Sequence, residues 1–342
     1  MKRKRYQDIF FLFGLTILII MATQLDFAQV KSGLQRAGYW FIAVVALWGL
    51  LYMLNTSAWL IIIKNSRPNG KQHNERIGFW WLYKLTVSGF ALNYATPGGL
   101  MGGEPYRIMM LAPKIGTASA SSSVILYVMT HIFSHFWFWL LAAVLYVATQ
   151  PTGAAMALLI AIIAAVCLMA IAFFIRGYKR GFTVGCVHLL SRFPMVKRWA
   201  GPFFERNREK LQNIDRQIAS LHNQNPKAFA AAVALELLCR ILSALEIFFT
   251  LLVIMPSANY LQCILILAFT SLFANMLFFL PLQLGGREGG FLMSARGLSL
   301  PANAAIFVAL IVRVRELIWT AIGLLLIKID TKQQQLPTDK ID

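Results

Sequence analysis

The sequence predicts an all-α polytopic membrane protein with about six full transmembrane helices and two re-entrant hairpins, arranged as an inverted pseudo-repeat. Three observations support this fold class. Hydrophobic residues make up 58% of the 342 residues and charged residues only 13%, which is the composition of a chain immersed in lipid. The apolar residues are grouped into runs of membrane-spanning length. Two short glycine-rich segments of similar sequence interrupt these runs.

The first half begins with a basic N-terminus, which we expect in the cytoplasm, and an apolar run over residues 9–22. We interpret this run as a retained signal anchor rather than a cleaved signal peptide, because no clear cleavage site follows it. Residues 39–63 predict a full span, and the basic segment 64–76 follows it on the cytoplasmic side. Residues 79–95 are borderline for crossing the bilayer and predict the first arm of a re-entrant hairpin, whose second arm covers residues 104–114.

Residues 118–148 and 154–175 predict two spans joined by a short, uncharged external turn. After a long hydrophilic loop, residues 228–255 predict an outward span and residues 261–280 return towards the second glycine-rich segment. The last span covers residues 304–327. The positive-inside rule favours two oppositely oriented hairpins with a cytoplasmic C-terminus. The alternative is that 261–280 crosses fully, which leaves the C-terminus outside.

The long loop over residues 176–227 carries eleven Lys and Arg residues against three Asp and Glu residues, so we expect it in the cytoplasm. Apolar residues recur at helical spacing over 204–221, which predicts an amphipathic helix on the anionic membrane surface or, alternatively, a regulatory or partner-binding helix. The formal net charge of +18 lies in loops of this kind, so it does not indicate a nucleic-acid partner.

We therefore expect a single integral-membrane domain over residues 1–330. Its first half covers about 1–175 and its second half 228–330, on either side of the basic loop. Residues 331–342 form a short polar tail.

The two glycine-rich segments, residues 97–104 (PGGLMGGE) and 281–288 (PLQLGGRE), align without a gap on proline, leucine, glycine and glutamate. Polar backbone at membrane depth is tolerated only inside protein or beside a wet cavity, and a pair of such breaks in matching halves indicates a transport site. The offset between the motif glutamates is 288 − 104 = 184. The same offset aligns His131 with Arg315 and thus brings polar groups to matched positions in the following helices.

These motifs provide the candidate site for the phosphate of a lipid headgroup. Glycine allows close approach of backbone N–H groups, and a helix N-terminus attracts an anion. The glycines are Gly98, Gly99, Gly102, Gly103, Gly285 and Gly286. Glu104, Arg107, Arg287 and Glu288 add charges beside them. The alternative is that the glycines serve helix packing and that the glutamates cap helices or pair with the arginines.

Further charges lie inside the predicted spans, where they are costly and tend to mark transport paths. Glu236 and Arg240 are one turn apart and can neutralise each other. Arg313 and Glu316 have a similar spacing, which leaves Arg315 as a candidate contact for an anion. His131, His135 and Glu246, which has no obvious local partner, are candidate proton carriers.

Residues 96–107 and 281–289 resemble the two signatures of the flippase-like transmembrane family typified by the membrane region of lysylphosphatidylglycerol synthases. The second signature departs from the family, because Leu282-Gln283 stands where Gly-Gly is common. The resemblance implies a helical fold with two re-entrant elements that moves aminoacylated or anionic phospholipids between leaflets of the bacterial inner membrane. The chain ends shortly after its last span, so we do not expect the aminoacyl transferase domain that makes the lysyl lipid.

The sequence thus predicts a phospholipid transporter that is not itself an enzyme and has no catalytic residues. There is no phosphate-binding loop for a nucleotide, so movement is expected to be passive or coupled to protons or ions. His131 and His135 have the spacing of a zinc helix but lack its catalytic glutamate, and we expect neither metal nor cofactor. The alternative is a membrane-embedded enzyme or accessory subunit that binds lipid for the chemistry of a separate lipid-modifying enzyme. A second copy of this chain, in a homo-oligomer, is another candidate partner.

Overall fold

Helices account for the regular secondary structure in a computed structural model of the chain, and the described residues contain no strand. The structure describes residues 8–12, 14–16, 19, 23, 26–65, 77–95, 102–180, 225–276, 286–298 and 300–333. The helices are α1 (Phe27–Ala37), α2 (Tyr39–Asn65), α3 (Phe79–Ala95), α4 (Gly103–Ile115), α5 (Thr117–Thr149), α6 (Ala154–Arg180), α7 (Pro226–Leu252), α8 (Tyr260–Met276), α9 (Gly286–Gly297) and α10 (Ala302–Gln333).

Local sequence explains where several of these helices begin and end. The Asp26 side chain caps α1 by accepting hydrogen bonds from the backbone N–H groups of residues 28 and 29, at 2.9 and 3.2 Å. Gly38 follows α1 with a φ of 53°, and Gly116 separates α4 from α5 with a φ of 83°. Glycine tolerates this left-handed backbone, so the chain changes direction at both positions. Asn259 caps α8 by accepting a hydrogen bond from Leu261 N at 2.9 Å.

Four described helices are long and apolar enough to cross a membrane: α2, α5, residues 154–176 of α6, and α7. Large apolar side chains of α6 lie exposed, among them Leu158 and Met169, as expected where the solvent is lipid. The predicted all-helical, multi-pass membrane protein is therefore confirmed. Helix α10 has 32 residues but carries three buried charged side chains, so it is not apolar enough to count among the four.

Helix lengths repeat along the chain. Helices α2 to α5 have 27, 17, 13 and 33 residues. Helices α7 to α10 have 27, 17, 12 and 32 residues in the same order. A helix of 17 residues is about 26 Å long, shorter than the ~30 Å hydrocarbon core, and each short helix precedes a glycine-rich segment. The two halves of the chain thus contain helices of matching length in the same order. The opposite orientation of the halves and the re-entrant paths of the hairpins stay predictions.

Some predicted features lie outside the described residues. These are Gly98, Gly99 and Gly285, the amphipathic helix over 204–221, and the tail beyond residue 333. The backbones of Gly286, Arg287 and Glu288 form the first turn of α9, but their side chains are not described.

The chain divides into two compact units, of which unit 1 comprises residues 1–53, 78–107 and 241–342. Helices α3 and α10 pack closely here because Gly323 has no side chain: a Cβ at this position would lie 2.5 Å from Ala91 Cβ and 2.9 Å from the carbonyl oxygen of Val87. The Ser88 hydroxyl donates to the Gly323 carbonyl at 3.0 Å. These contacts hold the middle of α3 against α10.

Unit 2 comprises residues 54–77 and 108–240. Its interior is rich in aromatic contacts between helices. The Phe133 ring of α5 stacks on Phe174 of α6 with centroids 5.5 Å apart, and Tyr127 of α5 stacks on Trp59 at 5.4 Å. Tyr127 also contacts His131, one of the polar residues of α5 described below, with ring centroids 6.4 Å apart.

Candidate functional site

The first glycine-rich segment ends at a buried polar contact between α3 and α4. The Asn93 side chain of α3 accepts a hydrogen bond from Gly103 N at 2.7 Å and donates one to Glu104 Oε1 at 2.8 Å. The first N–H groups of a helix have no partner within the helix, so an amide oxygen supplied by a neighbouring helix satisfies one of them. Asn93 therefore ties the beginning of α4 to the end of α3.

Two glycines allow this close approach. A Cβ on Gly103 would overlap the carbonyl oxygen of Gly89 and lie 2.7 Å from Asn93 Oδ1. A Cβ on Gly89 would overlap the guanidinium of Arg107. Gly103 is thus explained by the contact between two backbones, and Gly89 by the space that an arginine fills.

Arg107 lies in the interior of unit 1 with 1% of its surface exposed. Its Nη1 is 3.5 Å from Glu104 Oε1, and its Nη2 donates to the carbonyl of Thr86 at 3.3 Å. The guanidinium also lies over the Phe90 ring, 4.8 Å from the centroid. The second oxygen of Glu104, Oε2, is buried and accepts no hydrogen bond from the residues that the structure describes.

A second polar site in unit 1, the Arg315 cluster, consists of Trp48, Tyr94, Glu246, Arg313, Arg315 and Glu316. Arg315 makes a bidentate pair with Glu246, with Nε–Oε1 and Nη2–Oε2 distances of 2.7 and 2.8 Å. The guanidinium lies 3.8 Å from the centre of the Trp48 ring, and the indole N–H donates to Glu246 Oε2 at 3.0 Å. Glu246 therefore fixes the Arg315 fork in one geometry.

The other half of the Arg315 cluster connects α10 to the last turn of α3. Arg313 Nη1 donates to the Tyr94 hydroxyl at 2.8 Å and lies 4.0 Å from Glu316 Oε2. The Tyr94 hydroxyl donates in turn to Glu316 Oε2. Arg315 Nη1 lies 3.9 Å from Glu316 Oε1, so this carboxylate is shared between two arginines.

The Arg315 cluster contains two arginines and two glutamates and is neutral when all four are ionised. An anionic headgroup that approached Arg315 would have to compete with Glu246 for the guanidinium. A planar guanidinium suits this exchange, because a phosphate offers the same pair of acceptor oxygens as a carboxylate.

Unit 2 holds a third polar group, the His131 cluster, which consists of His131, Ser134 and His135 of α5 with Glu236 and Arg240 of α7. His131 Nδ1 lies 2.7 Å from Glu236 Oε2. Arg240 donates to the Ser134 hydroxyl at 2.7 Å and to the His131 carbonyl at 2.8 Å. The rings of His131 and His135 are in edge contact with centroids 5.6 Å apart.

The structure brings the predicted site residues together in separate groups. Glu104, Arg107 and Gly103 share the α3–α4 contact, Arg315 and Glu246 form one ion pair, and His131 and His135 lie in the other unit. Sequence reasoning missed the polar partners Trp48, Asn93, Tyr94 and Ser134. Asn93 and Tyr94 stand in the last turn of α3, directly before the first glycine-rich segment, and this position is the signal that could have revealed them.

Residues 9–323 match the sequence profile of a family described as "Lysylphosphatidylglycerol synthase TM region". The match covers both glycine-rich segments and all three polar groups. Comparison with curated proteins and with solved structures gave no match.

Proposed function

This chain belongs to the lysylphosphatidylglycerol synthase TM region family, and we propose that it is a membrane lipid transporter without an ATPase of its own. Its family indicates a role with membrane lipids. The proposed cargo is a phospholipid or a related anionic or aminoacylated lipid, moved between the two leaflets.

The repeated helix series is the observation that carries this proposal. Each series contains a 17-residue helix, then a glycine-rich break, then a short helix and a helix of more than 30 residues. Transporters are commonly built from two such repeats, with the binding site at interrupted helices in corresponding positions. A static membrane anchor has no need for two matched breaks at membrane depth, where unpaired backbone is costly.

The proposed headgroup contacts lie at the beginnings of α4 and α9, where Glu104, Arg107, Arg287 and Glu288 stand beside the glycines. Helix N-termini favour anions, and the arginines add full charges. Arg315 serves as a further headgroup contact in this proposal, with the lipid phosphate replacing Glu246 on its guanidinium. Glu246, released from Arg315, keeps the hydrogen bond that it accepts from the Trp48 indole.

Location and topology form part of the proposal. The basic N-terminus, the loop over 176–227 and the tail after α10 lie in the cytoplasm of a bacterium, and the helices span its inner membrane. Single cysteines introduced into the loop and the tail of a cysteine-free background are expected to resist an impermeant thiol reagent in intact cells. A cysteine at Thr152 in the external turn is the matched control and is expected to react. Labelling of the tail from outside would contradict the inverted arrangement of the hairpins.

Purified protein in vesicles tests the transport proposal directly. Fluorescent phospholipids initially present in both leaflets are expected to become fully accessible to an external quencher, whereas about half stay protected in protein-free vesicles because spontaneous exchange is slow. Lipid binding without exchange would contradict transport and would favour an accessory subunit that holds lipid for another enzyme.

Glu104→Gln is expected to lower lipid exchange by about tenfold while the protein stays folded. The glutamine carbonyl still accepts the hydrogen bond from Asn93, but the charge opposite Arg107 is lost, and a charge-assisted contact contributes about 1.5–3 kcal/mol. Thermal unfolding and the exchange assay are measured on the same sample. Asp8→Asn, at an exposed carboxylate, is the control. A stable Glu104→Gln protein that exchanges lipid at the normal rate would contradict a transport role for Glu104 and leave it the role of a helix cap.

A further inference from the structure

The His131 cluster of unit 2 joins a fully buried carboxylate on α7 to a partly exposed imidazole on α5. Glu236 is 1% exposed, whereas the side chain of its partner His131 is 28% exposed. One oxygen of the carboxylate contacts His131, and the other, Oε1, is buried without a hydrogen bond to any described residue. A buried carboxylate is thus linked to its surroundings through a partly accessible imidazole.

We propose that His131 and Glu236 form a proton-binding pair that couples lipid movement to proton uptake. This inference rests on the proposed transport function and adds the source of its driving force. It assigns Glu236 as the buried proton acceptor and His131 as the residue through which the proton enters.

The Nδ1–Oε2 distance of 2.7 Å requires one proton between the two groups. In the starting state, neutral His131 donates its Nδ1–H to the Glu236 carboxylate. A proton from water binds His131 Nε2, and the Nδ1 proton moves to Glu236 Oε2. His131 is then neutral again with its proton on Nε2, and Glu236 is a carboxylic acid. One proton has been taken up and no other bond has changed.

Charge balance connects this step to an anionic cargo. Arg240 donates hydrogen bonds to Ser134 and to the His131 carbonyl on α5, and the guanidinium of arginine carries a positive charge in proteins. The cluster is neutral while Glu236 is ionised and carries one positive charge after proton uptake. An uncompensated charge at membrane depth is costly, so proton uptake is favoured when a lipid phosphate is close and disfavoured when it leaves.

The titratable groups that the described part of the chain places around the pair lie on α5 and α7. On α5 they are Tyr127 and His135, and on α7 they are Cys239 and Arg240. The side chain that α2 contributes beside Cys239 is the neutral Asn55. Glu236 is therefore the acidic group of this cluster, and it is the group that a charge-neutral substitution can test.

The experiment uses the full-length protein in vesicles loaded with a pH-sensitive dye and containing fluorescent phosphatidylglycerol. In the wild type, an imposed pH gradient is expected to drive lipid movement and to be accompanied by proton flux. Glu236→Gln resembles the protonated acid, because its side chain is neutral and its amide NH2 can donate a hydrogen bond to His131 Nδ1. This variant is expected to move lipid at a rate independent of the gradient, with proton flux reduced to that of protein-free vesicles. Asp8→Asn, an exposed carboxylate in the other unit, is the matched control and is expected to behave as the wild type.

His131→Asn provides a second variant if Glu236→Gln unfolds, since the asparagine amide can replace Nδ1 as a donor but cannot take up a proton. It too is expected to lose the gradient dependence. A gradient-dependent Glu236→Gln or His131→Asn protein would overturn the proton site and leave the transport proposal intact. Wild-type lipid exchange without proton flux would do the same. A wild type that moves no lipid under any gradient would instead overturn the proposed function itself.

Discussion

Gly103→Ala is expected to destabilise the protein by about 2–4 kcal/mol and to abolish lipid movement. The added methyl overlaps the carbonyl oxygen of Gly89, so α3 and α4 must separate. Overpacking of this kind costs about 1–3 kcal/mol, and separation also removes the Asn93 cap on α4, which contributes about 1 kcal/mol. Thermal unfolding in detergent and lipid exchange in vesicles measure the two effects.

Gly153→Ala is the matched control, because a Cβ at Gly153 meets no atom within 4 Å. We expect its stability and transport to equal those of the wild type. Shortening the neighbouring side chain in the double variant Gly103→Ala/Asn93→Ser is not expected to restore either property, since the closest clash is with the α3 backbone. A Gly103→Ala protein with normal stability and transport would show that the α3–α4 contact is looser than the structure has it.

The short helix α3 illustrates what could be predicted from sequence. Its predicted bounds, 79–95, are those that the structure has, because an apolar run ends abruptly at proline and glycine. The second arm was likewise predicted within one residue of α4, since Glu104 and Pro105 are favourable in a first helical turn. Such helix boundaries depend on the residues next to them in the chain, so they can be predicted from the sequence.

The partners of the buried charges could not be predicted in the same way. The sequence indicated a local pair of Glu236 with Arg240 and predicted no ion-pair partner for Arg315 or Glu246. In the structure Glu236 contacts His131, which is 105 residues away, and Arg315 binds Glu246, 69 residues away. These pairs depend on which helix faces meet, and a single sequence gives the face of each helix but not its neighbour.

The ion pairs change how Arg315 is interpreted. A guanidinium already held by a bidentate carboxylate is not simply available to an anion, so the original expectation of a direct headgroup contact now includes the displacement of Glu246. Single substitutions at either residue leave a buried charge without its partner. Stability and function therefore have to be separated by removing both charges together.

Arg315→Met and Glu246→Leu are each expected to lower the free energy of unfolding by about 3–5 kcal/mol, because each leaves one buried charge uncompensated. The double variant is expected to lose less than the sum, since a buried ion pair can be replaced by apolar side chains of similar volume at little cost. The free energy of unfolding in mixed micelles is measured by circular dichroism for four proteins: the wild type, the two single variants and the double variant. Arg36→Met, at an exposed arginine of α1, is the control and is expected to change stability by less than about 0.5 kcal/mol.

Lipid exchange by the double variant then decides the role of the pair. If a headgroup phosphate replaces Glu246 on Arg315 during transport, the double variant is expected to fold and yet lose lipid exchange, because methionine offers no donor to the phosphate. The remaining arginine of the Arg315 cluster, Arg313, is already engaged by Tyr94 and Glu316 and does not substitute for it. Additive stability losses would contradict the ion pair. A stable double variant that exchanges lipid at the wild-type rate would instead make Arg315 and Glu246 counter-ions that hold α10 to α7 and never meet the cargo.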